Sequence, residues 1–165
     1  MMNWNNWATV LKDPISLLSL KNSIFLGIVG ATLGILLSIF VSYNIVKIRT
    51  RGSGLVESLS FLSFSFPGIV IGIGFMWLFV RTPLYATIWA LLIGYIGTYL
   101  PYGVRPLTSA FIQIHSDLEE SSRVCGAGML YTLRRIIIPL LIPGVVSGWI
   151  LMATMFVREL SLLQP

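Results

Sequence analysis

For metal binding, or for a catalytic set built on histidine, cysteine or carboxylates, this 165-residue chain offers six carboxylates, one histidine and one cysteine. Their placement does not suit catalysis. No group of His, Cys and carboxylates has metal-ligand spacing, and no second cysteine exists to pair with Cys125. Cys125 therefore reads as a packing residue, and His115 as a packing or capping one. A Gly-x4-Gly-Lys-Ser/Thr phosphate loop is absent, so ATP hydrolysis would belong to another chain. The expectation is no catalytic residue, no metal site and no cofactor. What remains is one polar interval between Arg105 and Arg135, the only place for docking.

Within it, Ser116 and Glu119 form a capping-box pattern, which predicts a helix from Asp117 with acidic residues in its first turn. Glu119 and Glu120 both lie at helical spacing from Arg123. Cys125-Gly126-Ala127-Gly128 supplies two glycines at which that helix can end and reverse. A second helical piece over 129–135 leads through Ile136, Ile137 and Ile138 to Pro139. By helical spacing, Leu118, Val124 and Met129 are candidate apolar contacts. Taken alone, the charged residues would be an ordinary solvated face.

The elements that carry this interval are apolar. Hydrophobic residues make up 56% of the chain, charged ones 10%, and mean hydropathy is +0.87, more apolar surface than one soluble core can hide. Stretches 22–46, 58–80, 82–104 and 136–157 contain no Asp, Glu, Lys or Arg. Each reaches the roughly 20 residues that a helix needs to cross a bilayer. They are continuously apolar where a β-barrel strand would alternate. The expected fold is all-α: a polytopic bundle of four membrane helices, with a loop at 105–135.

A formal charge of +5 could suggest nucleic acid, but its distribution follows the loops. Lys47, Arg49, Arg51, Arg105, Arg123, Arg134 and Arg135 fall on one side, and only Lys12, Lys21, Arg81 and Arg158 on the other. The richer side is expected in the cytoplasm. Residues 1–21 then form an extracytoplasmic, interfacial segment; Trp4, Asn5, Asn6, Trp7, Lys12 and Asp13 interrupt it too early for a signal peptide.

Gly30, Gly34, Ser38 and Ser42 recur every fourth residue, which predicts a helix face for close approach; Gly68 with Gly72 and Gly144 with Gly148 repeat the pattern. Pro67-Gly68 predicts a break in the second span, either benign or exposing backbone carbonyls to a substrate path. Pro101 and Pro106 are expected to end the third span, and Pro139 and Pro143 to sit in the first turns of the fourth. Tyr95, Thr98, Tyr99 and Tyr102 form a polar-aromatic stripe, read as an interfacial belt or part of the path. Arg158 and Glu159 would meet outer water, each other or the translocation mouth.

Glu120-Ser121-Ser122, three residues, Gly126, nine residues, Ile136, one residue, Ile138-Pro139 resembles the cytoplasmic EAA loop of binding-protein-dependent ABC importer permeases, EAA-x3-G-x9-I-x-LP. Glu, Gly, Ile and Pro fall in register; Ser121 and Ser122 replace the alanines and Ile138 the leucine. The resemblance runs from about Leu20 to Leu162. It implies a coupling helix seated on an ATPase subunit, with Glu120 as polar anchor, Ser121 and Ser122 as contact face, Gly126 as turn, and Ile136 and Pro139 completing the motif; Leu118 joins the site by helical spacing alone. Pro67, Gly68, Tyr99, Arg158 and Glu159 are the candidates for path or gate.

The implied partners are an ABC ATP-binding subunit dimer, a second permease half or subunit, an extracytoplasmic solute-binding protein and the lipid bilayer, without nucleic acid. The implied location is the bacterial cytoplasmic (inner) membrane. Phe66-Pro67-Gly68-Ile69-Val70, Leu100-Pro101-Tyr102 and residues 156–161 are most similar to the ferric-iron branch; thiamine, polyamine and phosphonate importers are the alternatives. Members of that family carry more spans than the four read here, so a truncated chain, or one cut from a longer permease, is expected. An ion-coupled secondary transporter or a membrane scaffold are the competing classes. The absence of charge inside the four stretches counts against the former.

Overall fold

Asp13 accepts hydrogen bonds from the Ser16 amide (3.1 Å) and hydroxyl (2.8 Å), and Pro14 needs no amide partner at the first helical position. Together they start α1 (Pro14–Tyr43), which ends in a π-helical turn, Asn44–Ile48. The computed structural model describes residues 13–48, 52–114 and 116–162, and no strand occurs among them. Residues 14–21, expected in a separate interfacial segment, are the first turns of α1. Most of that segment, with Lys12, Arg49, Arg51 and His115, lies outside the described residues.

The chain continues as α2 (Ser53–Phe61) with a 3-10 turn (Leu62–Ser65), α3 (Gly68–Phe79) and α4 (Ile88–Gln113). Then come α5 (Ser116–Val124), α6 (Met129–Thr132), a second π-helical turn (Leu133–Ile137) and α7 (Ile138–Leu162).

Contacts fix the directions of these helices. Leu92 packs beside Gly30, Val104 O accepts from Ser42 Oγ (3.2 Å), and Ile114 O accepts from Lys47 Nζ (3.2 Å), so α1 and α4 run parallel. Val157 lies against Gly27, Met152 against Gly34 and Gly148 against Ile35, so α7 runs antiparallel to both. Between two parallel helices the chain must return from one end of the bundle to the other. It does so as α2 and α3, two halves meeting at 110° across the expected Pro67-Gly68 break. Ser16–Ile48 and Leu130–Arg158 are long and apolar enough to span a membrane; the bent pair passes the same test of length and composition only when its halves are taken together, as a broken span or a re-entrant loop. The fourth long helix, α4, is diluted by Tyr95, Thr98, Tyr99, Tyr102 and Arg105.

Small residues set the helix separations, because in lipid helices associate through packing and interhelical hydrogen bonds. Gly30, Gly34, Ser38 and Ser42 are all buried, facing Phe156, Met152, Gly103 and Val104. A methyl at Gly144 would sit 2.8 Å from Ala110 Cβ, and one at Gly148 would sit 2.8 Å from Ile35 Cδ1. Gly68 and Gly72 depart from the expectation: nothing lies within 4 Å of a methyl at either, so that face is unpacked here.

Pro101 and Pro106, expected to end a helix, lie inside α4, which starts at Ile88 and runs on to Gln113 instead of following 82–104. Pro101 is buried, and the Pro106 ring fits against the bare backbone of Gly148 on α7. That packing outweighs the lost backbone bonds. Arg105 does not end α4 either; its guanidinium lies 4.9 Å above the Phe61 ring.

Candidate functional site

The polar interval folds as a capped helical hairpin. At the end of α5, the Gly126 amide donates to Arg123 O (2.9 Å) and the Ala127 amide to Ser122 O (3.0 Å). These two bonds make a Schellman cap, with Gly126 as the left-handed residue at φ +79°. A methyl at 126 would meet nothing within 4 Å, so the backbone alone demands glycine. Past the turn, the Thr132 amide donates to Gly128 O (3.1 Å) and α6 begins.

The limbs are joined by side chains. Ser122 Oγ and Thr132 Oγ1 lie 2.7 Å apart, and both residues are buried. Ser121 is exposed, as are Glu120, Arg123 and Cys125, whereas Ser122 faces its own hairpin. Thr132 has no place in the sequence reading; no spacing rule pairs residues across a turn. Four apolar residues stand out on this polar element: Leu118 is 42% exposed, Val124 87%, Leu130 78% and Tyr131 60%. The hairpin is thus a polar platform with an uncovered apolar set. Helix α5 starts at Ser116 instead of Asp117. The side chains of Ser116, Glu119 and Met129 lie outside the described residues.

Below α6 the backbone changes pitch. The Ile138 amide donates to Leu133 O, the π-helical spacing, immediately before Pro139, the second residue of α7. In a regular helix the proline ring would press on the Arg135 carbonyl; the wider turn relieves this. Pro139 is exposed, Ile136 is half-buried, and Ile137 is buried in a cluster with Phe111, Ile114 and Leu141, against which Val46 packs. Val46 belongs to the other π-helical turn. Both turns therefore meet one apolar cluster at the Lys47 end of the bundle.

The path candidates separate into two places. Gly68 and Tyr99 line one open groove of about 660 Å³ between α3 and α4, together with Phe75 and Thr98, and Pro67 caps α3 beside it. Arg158 is exposed at the C-terminal end of α7 and does not line that groove, and the Glu159 side chain lies outside the described residues. The tyrosines do not form a belt at a membrane end. Tyr95 and Tyr99 are half-buried, packing on Phe156 at ring distances of 5.9 and 5.8 Å while lining that groove, and Tyr102 meets Phe64 at 5.2 Å. Among the described residues, no group of three or more His, Cys, Asp or Glu could hold a metal ion.

Residues 24–164 match the family model described as "binding-protein-dependent transport system inner membrane component". The chain belongs to that family. Among its relatives in the family, the spermidine/putrescine transport system permease protein PotC of Haemophilus influenzae is 27% identical over 152 residues, covering 92% of this chain and 59% of the relative. PotC of Escherichia coli K12 is 28% identical over 159 residues, covering 93% and 60%. The ferric transport system permease protein FbpB of Actinobacillus pleuropneumoniae is 28% identical over 162 residues, 95% of this chain and 23% of the relative. The chain spans about three-fifths of the length of the PotC relatives. With its apolar helices and this family membership, it is a membrane protein of the ABC importer permease type.

Proposed function

We propose that this chain is the permease subunit of an ATP-driven importer of the inner membrane, and that the α5–α6 hairpin couples it to a separate ATPase. One observation carries the proposal: Glu120 and Gly126 of the EAA register fall on a capped hairpin that holds Leu118, Val124, Leu130 and Tyr131 exposed, and Ile136 and Pro139 fall where that hairpin joins α7. An uncovered apolar set on a polar element is what a partner surface would cover. The hairpin end carries Lys47, Arg105, Arg123, Arg134 and Arg135, and the opposite end Lys21, Arg81 and Arg158, a distribution that supports a hairpin facing the cytoplasm. Glu120 anchors the contact and Ser121 lies in it; Gly126 makes the turn, and Ser122 works from within.

In this mechanism, closure of the ATPase dimer draws two such hairpins together, this one and that of a second permease half. The bundle then opens toward an extracytoplasmic binding protein, and hydrolysis resets it. The groove beside Pro67, Gly68 and Tyr99 is the proposed segment of the path, with Arg158 and Glu159 at its outer end. The cargo proposed first is ferric iron, on the resemblance of residues 66–70, 100–102 and 156–161. A polyamine is the second reading, favoured by the match to PotC over a larger share of that relative. Reconstitution of the full permease with its ATPase and binding protein tests both readings. Glu120→Lys is expected to lower uptake roughly tenfold without loss of membrane insertion. Unchanged uptake would sink the coupling role. Labelled spermidine and ferric iron, supplied separately, decide the cargo.

A further inference from the structure

A coupling element transmits motion only if it moves as one body about a defined joint, and the structure supplies both. The two limbs of the hairpin are short, nine residues in α5 and four in α6, too short to be stable on their own. What joins them, besides the Schellman cap, is the buried Ser122–Thr132 contact of 2.7 Å. The Thr132 hydroxyl also reaches Gly128 O (3.3 Å), and with its single proton directed there the Ser122 hydroxyl is the donor of the 2.7 Å contact; either hydroxyl satisfies that contact as donor. The hydroxyl of Thr132 thus ties α5, the turn and α6 together.

Directly after Thr132 comes the π-helical turn Leu133–Ile137, followed by Pro139. This is the one place on the hairpin-to-α7 path where regular helical bonding gives way, and such turns mark points of bending. Ile137 of that turn packs in the cluster that also holds Phe111 and Ile114 of the α4 end and contacts Val46 of the α1 end. Lys47 Nζ bonds Ile114 O in the same place. Rotation about Leu133–Ile137 therefore displaces a cluster on which α1, α4 and α7 all converge.

We propose that Thr132 is a positioning residue that clips the hairpin into a single lever, and that the lever turns about Leu133–Ile137, driving α1 and α4 through the Ile137 cluster. This rests on the coupling role proposed above. It predicts that the clip matters for transmission rather than for docking or folding.

The test uses the full permease with its ATPase and binding protein in proteoliposomes. Thr132→Val keeps shape and removes the hydroxyl; Thr132→Ser keeps the hydroxyl. Thr132→Val should lower uptake per ATP hydrolysed about fivefold, the population change expected for one lost net hydrogen bond. ATPase capture should stay unchanged, and Thr132→Ser should restore the ratio. Spin labels at the native Cys125, exposed on the hairpin, and at Val146→Cys should change separation when ATP binds. Labels at Asp117→Cys and Gly128→Cys in a Cys125→Ser background, both on the hairpin and outside its docking set, should keep theirs. If Thr132→Val transports like the parent while Glu120→Lys uncouples, the lever is refuted and the coupling role stands. If neither substitution has any effect, both fall. A change between the two hairpin labels equal to that across the joint also refutes the lever.

Discussion

Replacing Gly126 isolates the backbone contribution to the hairpin, because no side-chain packing is altered at that position. At φ +79° an L-residue is held in the left-handed region, which costs about 1–2 kcal/mol. A methyl there meets nothing within 4 Å, so no steric contribution adds to or offsets that figure. Since about 1.4 kcal/mol is a factor of ten, Gly126→Ala should raise the population of the opened cap roughly five- to thirtyfold. Gly126→Asn should cost less, because asparagine enters this region more readily. Gly126→Pro should cost most: it removes the 2.9 Å bond from the 126 amide to Arg123 O and forces φ to a negative value. Hydrogen exchange of the 121–128 segment in nanodiscs reads the opening directly. The expected order of exchange is Gly, Asn, Ala, Pro from slowest to fastest, with uptake per ATP falling in the same order. Equal exchange for Gly and Ala would refute the left-handed cap as the source of the turn's stability.

Three further outcomes follow from the packing. Gly103→Ala would bring a methyl onto Ser38 and within 2.8 Å of Met152 Sδ; overpacking of this kind should cost about 1–3 kcal/mol, read as a lower melting temperature in detergent. Ser42→Ala removes a donor to Val104 O and an acceptor for Thr108, and should cost about 1 kcal/mol in the same assay; no change would mean that these bonds do not hold α1 on α4. Pro67→Ala should let α2 and α3 straighten from 110°, lengthening the separation of spin labels at Glu57→Cys and Trp77→Cys and lowering uptake; an unchanged separation would show that the bend does not depend on the proline.

Features set by neighbours in sequence were legible before the structure. The four-residue recurrence of Gly30, Gly34, Ser38 and Ser42 can only put those residues on one helix face, and all four are buried. Gly126 sits where a helix ends, and Pro67-Gly68 where one breaks, because both act through their own backbone. Features decided between helices were not legible. Pro101 and Pro106 would end an isolated helix, but facing α7 they are held within one. Gly68 and Gly72 have the same spacing as the packed pairs, yet no helix covers them. Tyr95 and Tyr99 carry a belt-like composition but pack on Phe156, a residue far along the chain. The same reason hides Thr132, whose partner is ten residues away across a turn. The π-helical turn before Pro139 is a compromise between proline sterics and the Ile137 cluster, and neither alone specifies it.

The whole mechanism depends on docking of the α5–α6 hairpin on an ATPase subunit. A photocross-linker attached at Leu130→Cys, which is 78% exposed on the hairpin, tests it most directly; Phe40→Cys, 68% exposed on the apolar surface of α1, serves as the control, both in a Cys125→Ser background. In membranes that contain the full permease and its ATPase, the ATPase is expected to be captured from position 130 and not from position 40. Equal capture from both positions, or none from 130 while the complex transports, would contradict it.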